Sequence, residues 1–231
     1  MTAMRTILTW VLAAMLAACA ARETEAVPPI ALEPVRHALR AAWPHNRAVN
    51  IVAFGHSVPA GYTQAPRVEP FDAYPHLLHR ALAARYPTAV INVHVAAVGG
   101  EDSSAGLARF QRDVLAMQPD VVLIDYALND RRLGVDQARA NLTAMVDQAH
   151  AAGTAVVLLT PTPDAQGDAD ALAAQAQMIR ALAQARGVAL ADSAAAFARH
   201  GDVARLMATF NHPARAGHAL VTATLMDVLA P

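Results

Sequence analysis

An α/β domain, built as a three-layer α/β/α sandwich around a parallel sheet of about five strands, is the fold that the sequence predicts. Two observations carry that expectation. From Ala48 onward, short apolar runs alternate with segments whose apolar residues recur at helical spacing. The apolar runs are also nearly continuous rather than alternating, as strands covered on both faces require.

The strands come in order. AVNIVAF (48–54) is rich in β-branched residues and stops at Gly55, and AVINVHVAAV (89–98) stops at Gly99-Gly100. DVVLIDYA (120–127) runs into Leu128-Asn129-Asp130, AVVLLT (155–160) into Pro161, and a weaker VALADS spans 188–193. Between them lie FDAYPHLLHRALAARY, AGLARFQRDVLAMQ, DQARANLTAMVDQAHAAG and DALAAQAQMIRALAQARG, and HALVTATLMDVL closes the chain, all with an amphipathic period. In such sheets functional groups gather just beyond the carboxyl ends of the strands. Gly55-His56-Ser57, Gly99-Gly100, Asn129-Asp130 and Thr160-Pro161-Thr162 all fall there. One rim of the sheet therefore collects the polar punctuation.

Composition sets the outer bounds. The 231 residues are 55% hydrophobic, 16% charged and 5% aromatic, which describes one packed domain with extra chain at the ends. A formal net charge of −1, without any run of basic residues, argues against a nucleic-acid partner. The single cysteine, Cys19, ends the segment MTAMRTILTWVLAAMLAAC. Its apolar stretch is short for a bilayer span and reads as a signal-peptide core. Leu16-Ala17-Ala18-Cys19 resembles a bacterial lipobox, which implies that residues 1–19 are a leader and that Cys19 carries the lipid. The expected location is then the cell envelope, lipid-anchored at a periplasmic or outer-membrane face. Residues 20–46, with several prolines and no clean period before ALRAAW, read as a tether with room for a short helix at its end. The domain proper is expected over 47–231. Once Cys19 is lipidated, no thiol is left for a disulfide, a nucleophile or a thiolate metal site.

Ser57 follows a strand directly, in the glycine-bracketed turn Gly55-His56-Ser57-Val58-Pro59-Ala60-Gly61. A hydroxyl needs a neighbouring base to become a nucleophile, and a strand-to-helix turn supplies free backbone N–H groups suited to an oxyanion. The plainer reading is a helix N-cap. His212, in Asn211-His212-Pro213 before the last helical run, is the candidate base, whereas His218 falls inside that run. Asn129 stands where a side-chain amide could reach a developing oxyanion, although asparagine is also an ordinary turn residue. Gly100 (or Gly99) could bring a backbone N–H to the same place.

Each signal is weak alone, but their order is informative. The chain resembles the SGNH/GDSL hydrolase superfamily, whose blocks are Gly-Asp-Ser, a glycine after the second strand, Gly-x-Asn-Asp, and Asp-x-x-His. Here they read Gly55-His56-Ser57, Gly99-Gly100-Glu101, Ala127-Leu128-Asn129-Asp130, and Thr209-Phe210-Asn211-His212. The resemblance implies a flavodoxin-like five-stranded sheet and a serine esterase that needs no cofactor. It implies Ser57 as nucleophile, His212 as base, and an oxyanion hole from Ser57 N–H, Gly100 N–H and the Asn129 amide. The implied substrates are small-molecule or glycan esters, with short acyl groups on carbohydrate favoured by analogy. Three positions depart from the pattern: His56 replaces an aspartate that supports the loop, Ala127 replaces glycine, and Thr209 replaces the triad acid. The last is the serious one, because a carboxylate fixes the histidine tautomer and stabilises the imidazolium. His56, Asp125 and Asp130 are the supporting candidates near that rim.

Other chemistry is poorly served. His76 and His79 give two imidazoles at i, i+3 without a third ligand, so no metal is expected. Glu101-Asp102 cannot flank a glycosidic bond from one turn. Thr160-Pro161-Thr162-Pro163-Asp164 lacks phosphate-cradle glycines and reads as a pocket-lining loop. Arg131-Arg132 reads as a solvated pair that could also attract an anionic group. The rivals to an esterase are a non-catalytic glycan-binding lipoprotein of the same fold and a flavodoxin-like nucleotide-binding domain.

Overall fold

The computed structural model describes residues 29–231; the expected leader and Cys19 lie outside them. Five parallel strands form one sheet in the order β2-β1-β3-β4-β5. They are β1 (Ala48–Gly55), β2 (Val90–Ala97), β3 (Val121–Asp125), β4 (Ala155–Leu159) and β5 (Ala189–Ala191). Each of β2 to β5 lies within the segment that its apolar run predicts, and β1 runs one residue past its own, to Gly55. The central strands β3 and β4 are buried at every position, as continuous apolar runs demand, while β2 is a half-exposed edge. The order reverses at β1, so the crevice beside its carboxyl end is the switch point of the sheet.

Helices, among them α3 (Tyr74–Arg85), α6 (Val135–Ala151) and α7 (Ala169–Arg186), cover both faces and form two cores. One face carries Val49, Ile51 and Ala53 against Leu78, Leu82, Val221 and Leu225. The other carries Val52, Phe54, Val122 and Ile124 against Phe110, Leu142, Met145 and Ile179. The alternation of Val49 to Phe54 between these cores is the two-residue period of a strand buried on both sides.

The domain starts earlier than the sequence suggests. Helix α1 (Glu33–Arg40) buries Val35, Ala38 and Leu39, and the Arg36 Nη2 donates to the Val228 carbonyl at 2.7 Å. The expected tether over 20–46 therefore contains a packed element, and the folded unit reaches back at least to Leu32. The physical reason is the i, i+3, i+4 spacing of Val35, Ala38 and Leu39, which makes one apolar stripe even in a short segment.

Candidate active site

Strand β1 ends at a glycine because nothing larger fits: a Cβ on Gly55 would collide with the Asp125 carbonyl. The chain then turns into the single-turn helix α2 (Ser57–Ala60), with Ser57 at its first position. His56 caps that turn, its Nδ1 accepting the Val58 N–H at 3.3 Å. A carboxylate in the family pattern is thus replaced by an imidazole that still accepts from the turn. Accepting at Nδ1 places the His56 proton on Nε2, which lies 3.4 Å from Asp125 Oδ1 without a hydrogen bond. Asp125 and Tyr74 are buried beneath it. Asp125 supports the Ser57 turn from below and does not touch His212.

Ser57 is 8% exposed at this rim. Its Oγ lies 2.9 Å from Nε2 of His212. The histidine rides on a tight loop: the Ala208 and Thr209 N–H groups both donate to the His212 carbonyl, at 2.9 and 3.2 Å. Pro213 bridges to Met207, and the last helix, α9 (Arg215–Leu229), begins only after Ala214. The Tyr62 ring stacks on the imidazole, with centroids 6.2 Å apart and planes at 28°. Burial, and after it the nearby His56, push the His212 pKa below its ordinary value, against a smaller upward pull from Asp164.

The remaining rim is built from two other loops. Gly100 follows β2 with φ +76, the left-handed region that favours glycine, and no atom crowds its Cα. Arg132 Nη2 donates to its carbonyl at 3.0 Å. Asn129 lies in the short helix α5 (Ala127–Asp130), directly after β3. Its Nδ2 donates to the Glu101 carbonyl at 2.8 Å. That bond occupies one amide hydrogen and aims the other elsewhere, since a side-chain amide has two. Asp130 is fully buried and holds the neighbouring loop: its Oδ1 accepts the Ser103 N–H at 2.7 Å. Burial raises its pKa to about 6. Asp130 is therefore a support for the Gly100–Ser103 segment and makes no contact with the histidine.

Sequence reasoning did not find the clamp behind Gly100. Arg109, on helix α4 (Ser103–Asp113), donates through Nε to Glu101 Oε1 at 2.7 Å and through Nη2 to the Ala96 carbonyl at 3.0 Å. Tyr126 donates to Glu101 Oε2 at 2.7 Å, and the guanidinium sits 4.5 Å over the Phe54 ring. This buried cluster fixes Glu101, whose carbonyl in turn anchors Asn129. Glu101 and Arg109 lie eight residues apart across a loop-helix junction, and no local repeat links them. Arg109→Leu is expected to cost about 3 kcal/mol, because it leaves the largely buried Glu101 carboxylate without its charged partner and with only the Tyr126 hydroxyl donating to it. A urea unfolding midpoint unchanged from wild type would contradict that.

No carboxylate among the described residues hydrogen-bonds His212. Asp164, the one that acts on it through space, is held by Arg131 Nη2 at 2.6 Å and by the Gln166 and Gly167 N–H groups. Arg131 is thereby tied into the structure, and Arg132 alone of the pair stays exposed.

A flavodoxin-like sheet with this rim defines a carboxylic ester hydrolase. Residues 53–220 match the GDSL-like Lipase/Acylhydrolase family, and the chain belongs to that family. Compared with curated proteins, the sequence matches none. Among solved structures it is similar to the lipase/acylhydrolase from Enterococcus faecalis, at 25% identity and TM-score 0.70 over 78% of this chain and 94% of that one. It is also similar to Axe2, an acetylxylan esterase from Geobacillus stearothermophilus, at 20% identity and TM-score 0.69 over 79% and 94%. LAE5, an alpha/beta hydrolase from the metagenome of Lake Arreo, Spain, gives 22% and 0.67 over 82% and 96%.

Proposed function

We propose that the protein hydrolyses short-chain acyl esters, O-acetyl groups on carbohydrate foremost, through an acyl-enzyme on Ser57. The 2.9 Å approach of Ser57 Oγ to His212 Nε2 carries this reading. His212 takes the serine proton at Nε2 while Oγ attacks the ester carbonyl carbon. The developing oxyanion accepts from the Ser57 N–H, the Gly100 N–H and the second Asn129 amide hydrogen. The tetrahedral adduct then expels the alcohol, which receives its proton from His212, and water repeats the sequence to release the acid. The Ser57–His212 approach weighs against a purely binding role. The test is labelling of the domain by a fluorophosphonate together with p-nitrophenyl acetate hydrolysis.

The pH dependence follows from the base. His212 must be neutral to accept a proton, and its pKa is depressed. Activity is therefore lost only as pH falls through that lowered value. The acid limb of kcat/KM is expected below about 6.5, the ordinary histidine value. A limb centred above pH 7 would contradict it.

For the alcohol side, support comes from Phe210, 44% exposed beside Thr209, on the wall of a cavity of about 470 Å³. Its ring offers a flat apolar face to a sugar. Phe210→Ala is expected to raise KM several-fold on an acetylated oligosaccharide and to leave p-nitrophenyl acetate nearly unaffected; equal effects on both would remove the assignment.

The anchor is proposed on the sequence Leu16-Ala17-Ala18-Cys19, with a cell-envelope location. Lipidated Cys19 would hold the domain at a membrane, since each buried CH₂ contributes about 0.8 kcal/mol. Cys19→Ser should release the protein into the soluble fraction, and continued membrane retention would count against lipidation.

A further inference from the structure

We propose that Thr209 stands in for the missing carboxylate as a positioning residue: its neutral hydroxyl holds His212 in the tautomer that can take the serine proton. This rests on the reading of Ser57 and His212 as nucleophile and base. Thr209 Oγ1 lies 3.3 Å from His212 Nδ1. It also accepts the His212 backbone N–H at 3.1 Å and lies 3.5 Å from Asn211 Oδ1.

A hydroxyl has one proton and two lone pairs, so these contacts can be assigned. The backbone N–H must donate, which occupies one lone pair. The proton then has two destinations, Asn211 Oδ1 or a bare Nδ1. With Asn211 accepting it, the second lone pair faces Nδ1 and takes its hydrogen. Nε2 is left bare toward Ser57 Oγ, ready to accept. The opposite assignment puts the imidazole hydrogen on Nε2 and leaves Asn211 Oδ1 without a donor from Thr209. The Asn211 amide thus biases the hydroxyl, and the hydroxyl biases the ring.

The loop keeps this arrangement in place. Ala208 and Thr209 N–H groups close on the His212 carbonyl, and Ala165 N donates to the Phe210 carbonyl at 2.8 Å. The charged and titratable groups around the ring are His56 from the Ser57 turn, Asp164 from the loop after β4, the buried His218 of α9, and Tyr62 stacked on its face. Asp164 is already engaged by Arg131 and two backbone N–H groups. What Thr209 cannot supply is charge. It orients the ring, but an imidazolium beside a hydroxyl is stabilised less than one beside a carboxylate.

The experiment is a series at this position on the full chain, read by kcat, KM and the pH profile on p-nitrophenyl acetate. Thr209→Val removes acceptor and donor at nearly constant volume; kcat should fall about tenfold or more with KM unchanged. Thr209→Ser should restore it. Thr209→Asp should move the acid limb of kcat/KM upward by about one pH unit or more and raise kcat. Wild-type kcat and pH profile in Thr209→Val, or an acid limb that Thr209→Asp leaves in place, would overturn the proposal. If Thr209→Val does not fold, the serine and aspartate variants still decide it. Full activity in Ser57→Ala or His212→Ala would instead overturn the underlying nucleophile-and-base reading, so the two failures are distinguishable.

Discussion

Ser57→Ala is expected to lower kcat on p-nitrophenyl acetate by at least about 10³-fold and to abolish fluorophosphonate labelling. The size follows from what alanine removes. Without Oγ there is no covalent intermediate, and only water held near the rim can attack. The oxyanion donors and the binding surface stay, so some rate over uncatalysed hydrolysis should persist. His212→Ala should cost a similar factor, since an unassisted hydroxyl is a poor nucleophile near neutral pH. The two losses should not multiply. Residues that act as one unit are non-additive, and the double variant should be no slower than the worse single one. The residual activity of His212→Ala is also informative, because a base without a carboxylate partner has less to lose than one in a complete triad. Wild-type kcat in either variant would sink the acyl-enzyme mechanism.

The second large effect is expected at Asn129. Asn129→Ala should reduce kcat by about 10²–10³-fold, or about 2.7–4 kcal/mol, with little change in KM. The amide is useful because one of its hydrogens is fixed on the Glu101 carbonyl at 2.8 Å, which leaves the other pre-aimed before charge develops. Loss of that anchoring bond should cost only about 1 kcal/mol of stability, so the variant should still fold. Asn129→Asp keeps the shape but sets a negative charge against the oxyanion, and it should be at least as slow. A kcat within about threefold of wild type for both would take Asn129 out of the oxyanion hole.

Much of this arrangement is legible in the sequence, for physical reasons that differ by element. The strands show because burial on both faces forces continuous apolar runs, and β3 and β4 are the clearest cases. The rim shows because glycine, asparagine and serine must punctuate strand ends. Helix α1 is less visible: its three apolar positions are diluted by Glu33, Pro34, Arg36, His37 and Arg40. Helix α8 (Ser193–His200) follows β5 almost without a break, and its alanines carry little periodicity. The partners that tune the site are hidden for another reason. Tyr62 meets His212, Arg109 meets Glu101, and Asp125 lies under His56 only through tertiary packing, which no local pattern encodes. Asp125 and Asp130 are near the rim, as their positions suggest, yet each serves a loop rather than His212.

The segment around helix α1 also fixes where the polypeptide enters the domain. Pro29 packs beside Gly187, at the foot of β5. Asn46 Nδ2 donates to the Thr88 carbonyl at 2.9 Å, just below the start of β2. The polypeptide therefore joins the domain at the amino-terminal edge of the sheet, opposite the rim that holds Ser57. The eight residues of β1 separate these two edges, a rise of about 26 Å. Any attachment upstream of Pro29 thus enters the domain from the side away from the Ser57 rim.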